Sequence, residues 1–84
     1  MTNSGGATRE SILSLIKDIR DFNEAVDEEI KEIQRDANEL NDCWDDPQYN
    51  DFLLYTLQIT QQLKSDTRLL EEIADFLQGK VNLM

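Results

Sequence analysis

Trp44-Asp45-Asp46-Pro47 stands near the middle of an 84-residue chain, with a long helical pattern on either side. A proline fixes φ and lacks an N–H, so Pro47 suits the first position of a helix, where no backbone donor is required. The Asp46 carboxylate can accept from the amides that open such a helix. The same proline disfavours the α conformation at Asp46, so a helix arriving from upstream has to stop before it. One helix therefore ends and another begins within a few residues, and the chain is read as a helical hairpin.

The first segment carries its apolar residues at alternating steps of four and three: Ile12, Ile16, Ile19, Asn23, Val26, Ile30, Ile33, Ala37, Leu40 and Trp44. A repeat of 3.5 residues sustained this long is a coiled-coil seam. Charged pairs four apart, such as Asp27 with Lys31, support the outer face, and no glycine or proline interrupts residues 8–46. The spacing predicts a helix over about residues 8–44. Asn23 breaks the seam, and two readings of it stand. It fixes register at a cost in stability, or it lies at a solvated edge while neighbouring Phe22 fills the core.

Beyond the turn, at residues 45–46, the pattern resumes with Phe52, Thr56, Ile59, Leu63, Asp66, Leu70, Ile73 and Leu77. It predicts a second helix over about 47–79, with Gly79 as its C-cap. Residues 1–7 and 80–84 are expected to be tails. The run Ser65-Asp66-Thr67-Arg68 weakens the second seam and reads as a solvated turn of helix. Both helices come to roughly 50 Å at 1.5 Å per residue, so they can pair antiparallel along their length.

A two-helix hairpin needs one apolar stripe per helix, and this chain has more. Leu15 and Phe22, and Tyr55, Leu69 and Phe76, lie beside the seams at multiples of seven residues, while Leu13, Leu53 and Leu57 widen the sector from the other side. Such a sector exceeds what one facing helix can cover. The expected architecture is all-α: an antiparallel two-helix hairpin that pairs with a second hairpin into a four-helix bundle. The residues expected at the partner interface are Leu15, Ile16, Ile19, Phe22, Val26, Ile30, Ile33, Tyr55, Ile59, Leu63, Leu69, Leu70, Ile73 and Phe76.

Composition narrows the function classes. With 18 acidic against 8 basic side chains the net charge is −10, a surface that repels phosphate backbones and anionic lipid. Neither nucleic acid nor a membrane is expected as a partner, and a basic protein surface is the natural one. Histidine is absent and cysteine occurs once, so no metal site, cofactor or nucleophile–base pair is expected, and no catalytic residue is assigned. Cys43 is read as a small, partly buried side chain beside Trp44, the alternative being a reactive or intermolecularly paired thiol. Residues 1–8 lack the apolar core of a secretory signal, and the longest apolar run, Phe52-Leu53-Leu54-Tyr55, is too short to span a bilayer. The expectation is a cytoplasmic chain, or one exported without a cleaved signal.

The turn carries a resemblance. Trp44 between two helices, with Phe52 about two turns further on, is similar to the WXG family of small helical hairpins associated with type VII secretion. Those proteins carry a Trp-x-Gly motif in the loop and an aromatic residue on the second helix, and the turn motif here is Trp44, Asp46, Pro47 and Phe52. Asp46 replaces the glycine, and the family's C-terminal export signal, a tyrosine followed four residues later by an acid, is missing. The resemblance implies a secretion-associated partner or targeting factor, acting as a homodimer, with a related hairpin, or with a larger effector. Two alternatives stand beside it: a type III needle-like subunit or secretion chaperone, and an acidic inhibitor of a basic protein surface. Trp44 itself is expected to close the turn end of the core against Tyr49 or Phe52, with any exposed edge open to a partner.

Overall fold

The structure, a computed structural model, describes residues 5–44 and 46–84. Two helices, α1 (Gly5–Glu39) and α2 (Pro47–Asn82), run antiparallel, with a single turn of 3₁₀ helix at Leu40–Asp42 between them. They form an elongated hairpin of 62 × 22 × 15 Å. Residues 1–4 and Asp45, half of the expected turn, lie outside the described residues.

The connection follows from its residues. Asn38, Asn41 and Asp42 are poor helix formers whose short polar side chains compete with the backbone. At this point α1 tightens, and the amides of Cys43 and Trp44 both reach the Leu40 carbonyl, at 3.1 and 2.8 Å. Asp46 is extended (φ −158°, ψ 155°), as a residue before proline should be. Its Oδ1 accepts the Gln48 amide at 2.6 Å and so caps α2.

Helix boundaries differ from expectation at three places. α1 begins at Gly5, ahead of residue 8, and its regular α geometry ends at Glu39, short of residue 44. α2 continues through Gly79 to Asn82. Gly79 keeps a negative φ and is no C-cap. The reason is Val81, 1% exposed, which packs with Ile16 and Ala74 into a buried cluster flanked by Ile12, Leu13, Ile19 and Leu77. Burying that valine draws the helix past the glycine and takes up part of the expected tail.

The α1 seam follows most of its periodicity: Ile16, Ile30 and Ala37 are buried, and Ile12, Ile19, Asn23, Val26 and Trp44 half-buried, whereas Ile33 and Leu40 are exposed. The α2 seam does so for half of its members: Phe52, Thr56, Leu70 and Leu77 are half-buried as expected, while Leu63 is exposed. Covered beside them are Tyr49, Leu53, Thr60, Thr67, Ala74 and Val81. The expected Ile59, Asp66 and Ile73 are each displaced by the residue after them, and they are exposed. Thr60, Thr67 and Ala74 are small, and small residues let two helix backbones approach closely. Thr60 hides its polarity by returning its hydroxyl to the Thr56 and Leu57 carbonyls, at 2.9 and 3.1 Å.

Candidate interaction surface

With Thr60, Thr67 and Ala74 in the α2 seam, Ile59 and Ile73 are turned outward and join the apolar side chains that flank the seams of both helices. Ile59 is 61% exposed, Phe76 63%, Phe22 55%, and Leu15, Ile33, Tyr55, Leu63, Leu69 and Ile73 are exposed with them. Of the expected interface residues, these nine are open to a partner. Ile16 and Ile30 are not: both are buried in the hairpin itself, packed by α2. Ile19, Val26 and Leu70 are half-buried at the boundary.

The exposed residues share one long edge. Leu15 and Phe22 are seven apart, as are Leu69 and Phe76, and side chains at such spacing lie on one helical face. In the middle of that edge is a groove of about 230 Å³, lined by Phe22, Ala25, Val26, Glu29, Ile30, Ile33 and Leu63. Both helices contribute to it, so it follows the crevice between them.

The opposite edge is built differently. Arg20 crosses from α1 to α2, its Nε to Glu71 Oε2 and its Nη2 to Asp75 Oδ1, both at 3.0 Å. Beside it Asn23 Nδ2 donates to the Thr67 carbonyl at 3.0 Å and towards Glu71 Oε1 at 3.4 Å. Asn23 thus sits on the seam, and Phe22, exposed, does not replace it in the core. Nearer the turn this edge holds a groove of about 330 Å³ lined by Gln34, Ala37, Asn38, Leu53, Thr56, Leu57 and Thr60, where Leu54 and Leu57 are exposed. Cations on this side are engaged locally. Lys17 donates to Asp21 at 2.6 Å, and that hydrogen bond, then the carboxylate's charge, holds its ammonium above the usual lysine pKa.

At the turn, Trp44 packs on both aromatic candidates, 5.6 Å from Tyr49 and 5.5 Å from Phe52 between ring centroids. Tyr49 is buried and its hydroxyl donates to the Ala37 carbonyl at 3.0 Å. Trp44 and Phe52 are half-buried, so the cluster closes the core and keeps an outer edge. Trp44, Asp46, Pro47 and Tyr49 also line a shallow depression with Asn41, Asp42 and Asn50. Cys43 beside it is exposed, against the expectation of partial burial.

Among the described residues no three of His, Cys, Asp and Glu gather into a group that could hold a metal ion. No described helix is long and apolar enough to cross a membrane. Compared with protein-family models, curated proteins and solved structures, the chain matches none.

Proposed function

We propose that this chain is a non-enzymatic protein-interaction module whose hairpin pairs with a second helical hairpin, a copy or a related chain, into a four-helix bundle. The observation that carries this is the apolar edge spanning both helices, with Phe22, Ile59 and Phe76 more than half exposed. Contiguous apolar surface of this length on a small folded chain marks a binding surface. Side chains at helical spacing on two adjacent helices are what a facing helix pair would cover.

The biological setting we infer is secretion-associated and WXG-like. It is supported by the Trp44–Phe52 contact at the turn of a hairpin of this length, with Asp46 and Pro47 setting the start of α2 where that family uses glycine. In this reading the chain serves as the partner or targeting factor of another hairpin or of a larger effector, in the cytoplasm or exported without a cleaved signal. No cofactor and no catalytic group belong to it.

The test is absolute mass by light scattering coupled to size exclusion, on the purified chain and on the chain co-expressed with the products of neighbouring genes. A mass of two hairpins in one of these settings, lost on combining Phe22→Ser with Phe76→Ser, is the expected result. A well-folded monomer in both settings would overturn the reading. Open-ended filaments would point instead to head-to-tail contacts of a needle-like subunit.

A further inference from the structure

We propose that the apolar edge is shaped for a helical partner whose own apolar ridge is flanked by lysine and arginine, and not for a second copy of this chain. The proposal rests on the interaction-module reading above and adds the partner's chemistry to it.

The two lips of the apolar groove are unlike each other. The α2 lip is dominated by Ile59, Leu69, Ile73 and Phe76. The α1 lip is acidic. Glu29 lines the groove with Phe22 and Ala25. Asp36 follows at seven residues from Glu29, while Asp18, Glu32 and Glu39 stand at multiples of seven from Ala25. Five carboxylates therefore border the apolar surface from α1, and no lysine or arginine shares those positions. Among the described residues, Glu32 alone of the five is in an ion pair, a 3.7 Å contact with Arg35. The cations Lys17, Arg20 and Lys31 lie instead toward the other side of α1, where each is taken up by carboxylates of this chain.

Size agrees with a helical occupant. The exposed apolar residues of the edge run from Leu15 to Ile33 on α1 and from Tyr55 to Phe76 on α2. At 1.5 Å per residue that is about 30 Å, and a strip one helix diameter of ~10 Å wide offers on the order of 300 Å². That is well under the ~800 Å² per partner of a standard interface and is the footprint of a single helix.

Charge decides against a second copy. In a twofold pairing each acidic lip would meet either its own equivalent or the α2 lip, whose charged residues at the corresponding helical positions are Asp66 and Lys80. Neither supplies bases for five carboxylates, and the pair would carry twice the −10 of one chain. Like charges brought together at a drying rim select against that partner, and opposite charges select for the other.

Two synthetic helices of about four heptads test this, with one Leu/Ile seam and either lysine or glutamate at every flanking position. Binding of labelled peptide is followed by fluorescence anisotropy. Rim ion pairs to the five carboxylates, each weak because it is exposed, should together favour the lysine peptide by about tenfold. That preference should fall to about a third in the triple variant Glu29→Gln, Glu32→Gln, Asp36→Asn, which removes three of the five rim carboxylates. It should survive in Glu24→Gln, Asp27→Asn, Glu28→Gln, which removes equal charge away from the groove. Phe22→Ser with Ile59→Ser should abolish binding of the lysine peptide.

Equal affinities, equal effects of the two triple variants, or binding of neither peptide would overturn the proposal. So would a stable dimer of the chain alone that Phe22→Ser dissociates. If any of these occurs while a two-hairpin mass is still found, the partner chemistry fails and the module reading stands. If no setting yields that mass, both fail.

Discussion

Tyr49 donates its hydroxyl to the Ala37 carbonyl across the turn, at 3.0 Å and buried from solvent. Ala37 lies in the last turn of α1, where carbonyls run out of helical donors. Tyr49 lies in the first turn of α2, so one bond ties the end of one helix to the start of the next. Tyr49→Phe keeps the ring packed at a tilt against Trp44 and removes only the donor. The expected loss is about 1 kcal/mol, a fall in Tm of about 4–8 °C for a chain this size. Urea melts of the two proteins at matched concentration check it, and an unchanged midpoint would remove the bond from the account.

Asp46 does separate work a few residues earlier. Its carboxylate satisfies the Gln48 amide, so Asp46→Ala should cost about 1 kcal/mol, while Asp46→Gly should cost only a few tenths because glycine is itself a tolerated cap. The glycine variant also creates a Trp-x-Gly sequence at the turn. Equal losses for alanine and glycine in denaturant titrations would mean that backbone flexibility, and not capping, limits this turn.

Asn23 is the polar break in the α1 seam, and its amide is only half used. Nδ2 reaches the Thr67 carbonyl and Glu71, whereas Oδ1 is buried without a partner. An unsatisfied buried acceptor costs about 1–3 kcal/mol. Asn23→Leu should therefore raise hairpin stability by about 1 kcal/mol, with Glu71 still held by Arg20. A lower Tm would show that the donated bonds outweigh the orphaned oxygen.

Much of the hairpin was legible from residue types. Asp46-Pro47 marks a helix start by local chemistry, and most of the α1 seam is legible because Ile12, Ile16, Ile19, Val26 and Ile30 are both large and covered, with Ile33 and Leu40 the exposed exceptions. On α2 the two part company. Periodicity reports where apolar residues lie around a helix, not which part of a wide apolar sector another helix covers. Phe52, Ile59, Leu63 and Ile73 advertise one seam by size. The covered one uses Leu53, Thr60, Thr67, Ala74 and Val81, recurring every seven residues. That recurrence of mostly small side chains was the available signal, and threonine disguised it by counting as polar. The closing of one edge by Arg20 joins residues more than fifty positions apart, beyond the reach of any local pattern.

Neighbouring residues on α2 give the sharpest test of this register. Ala74 is 0% exposed, in the cluster with Ile16 and Val81, and a larger side chain there has to push the helices apart. Ala74→Leu should cost about 1–3 kcal/mol by overpacking. Ile73, one residue earlier, is exposed, and Ile73→Ala should change the stability of the isolated hairpin by no more than about 0.5 kcal/mol. Association with a partner is where Ile73 should matter, so melts belong at concentrations where the chain is monomeric. A large loss at Ile73 with tolerance at Ala74 would mean that α2 is turned by one residue, with Ile59 and Ile73 inside the hairpin. The apolar edge would then shrink to its α1 residues and the outer ring of Tyr55, Leu69 and Phe76.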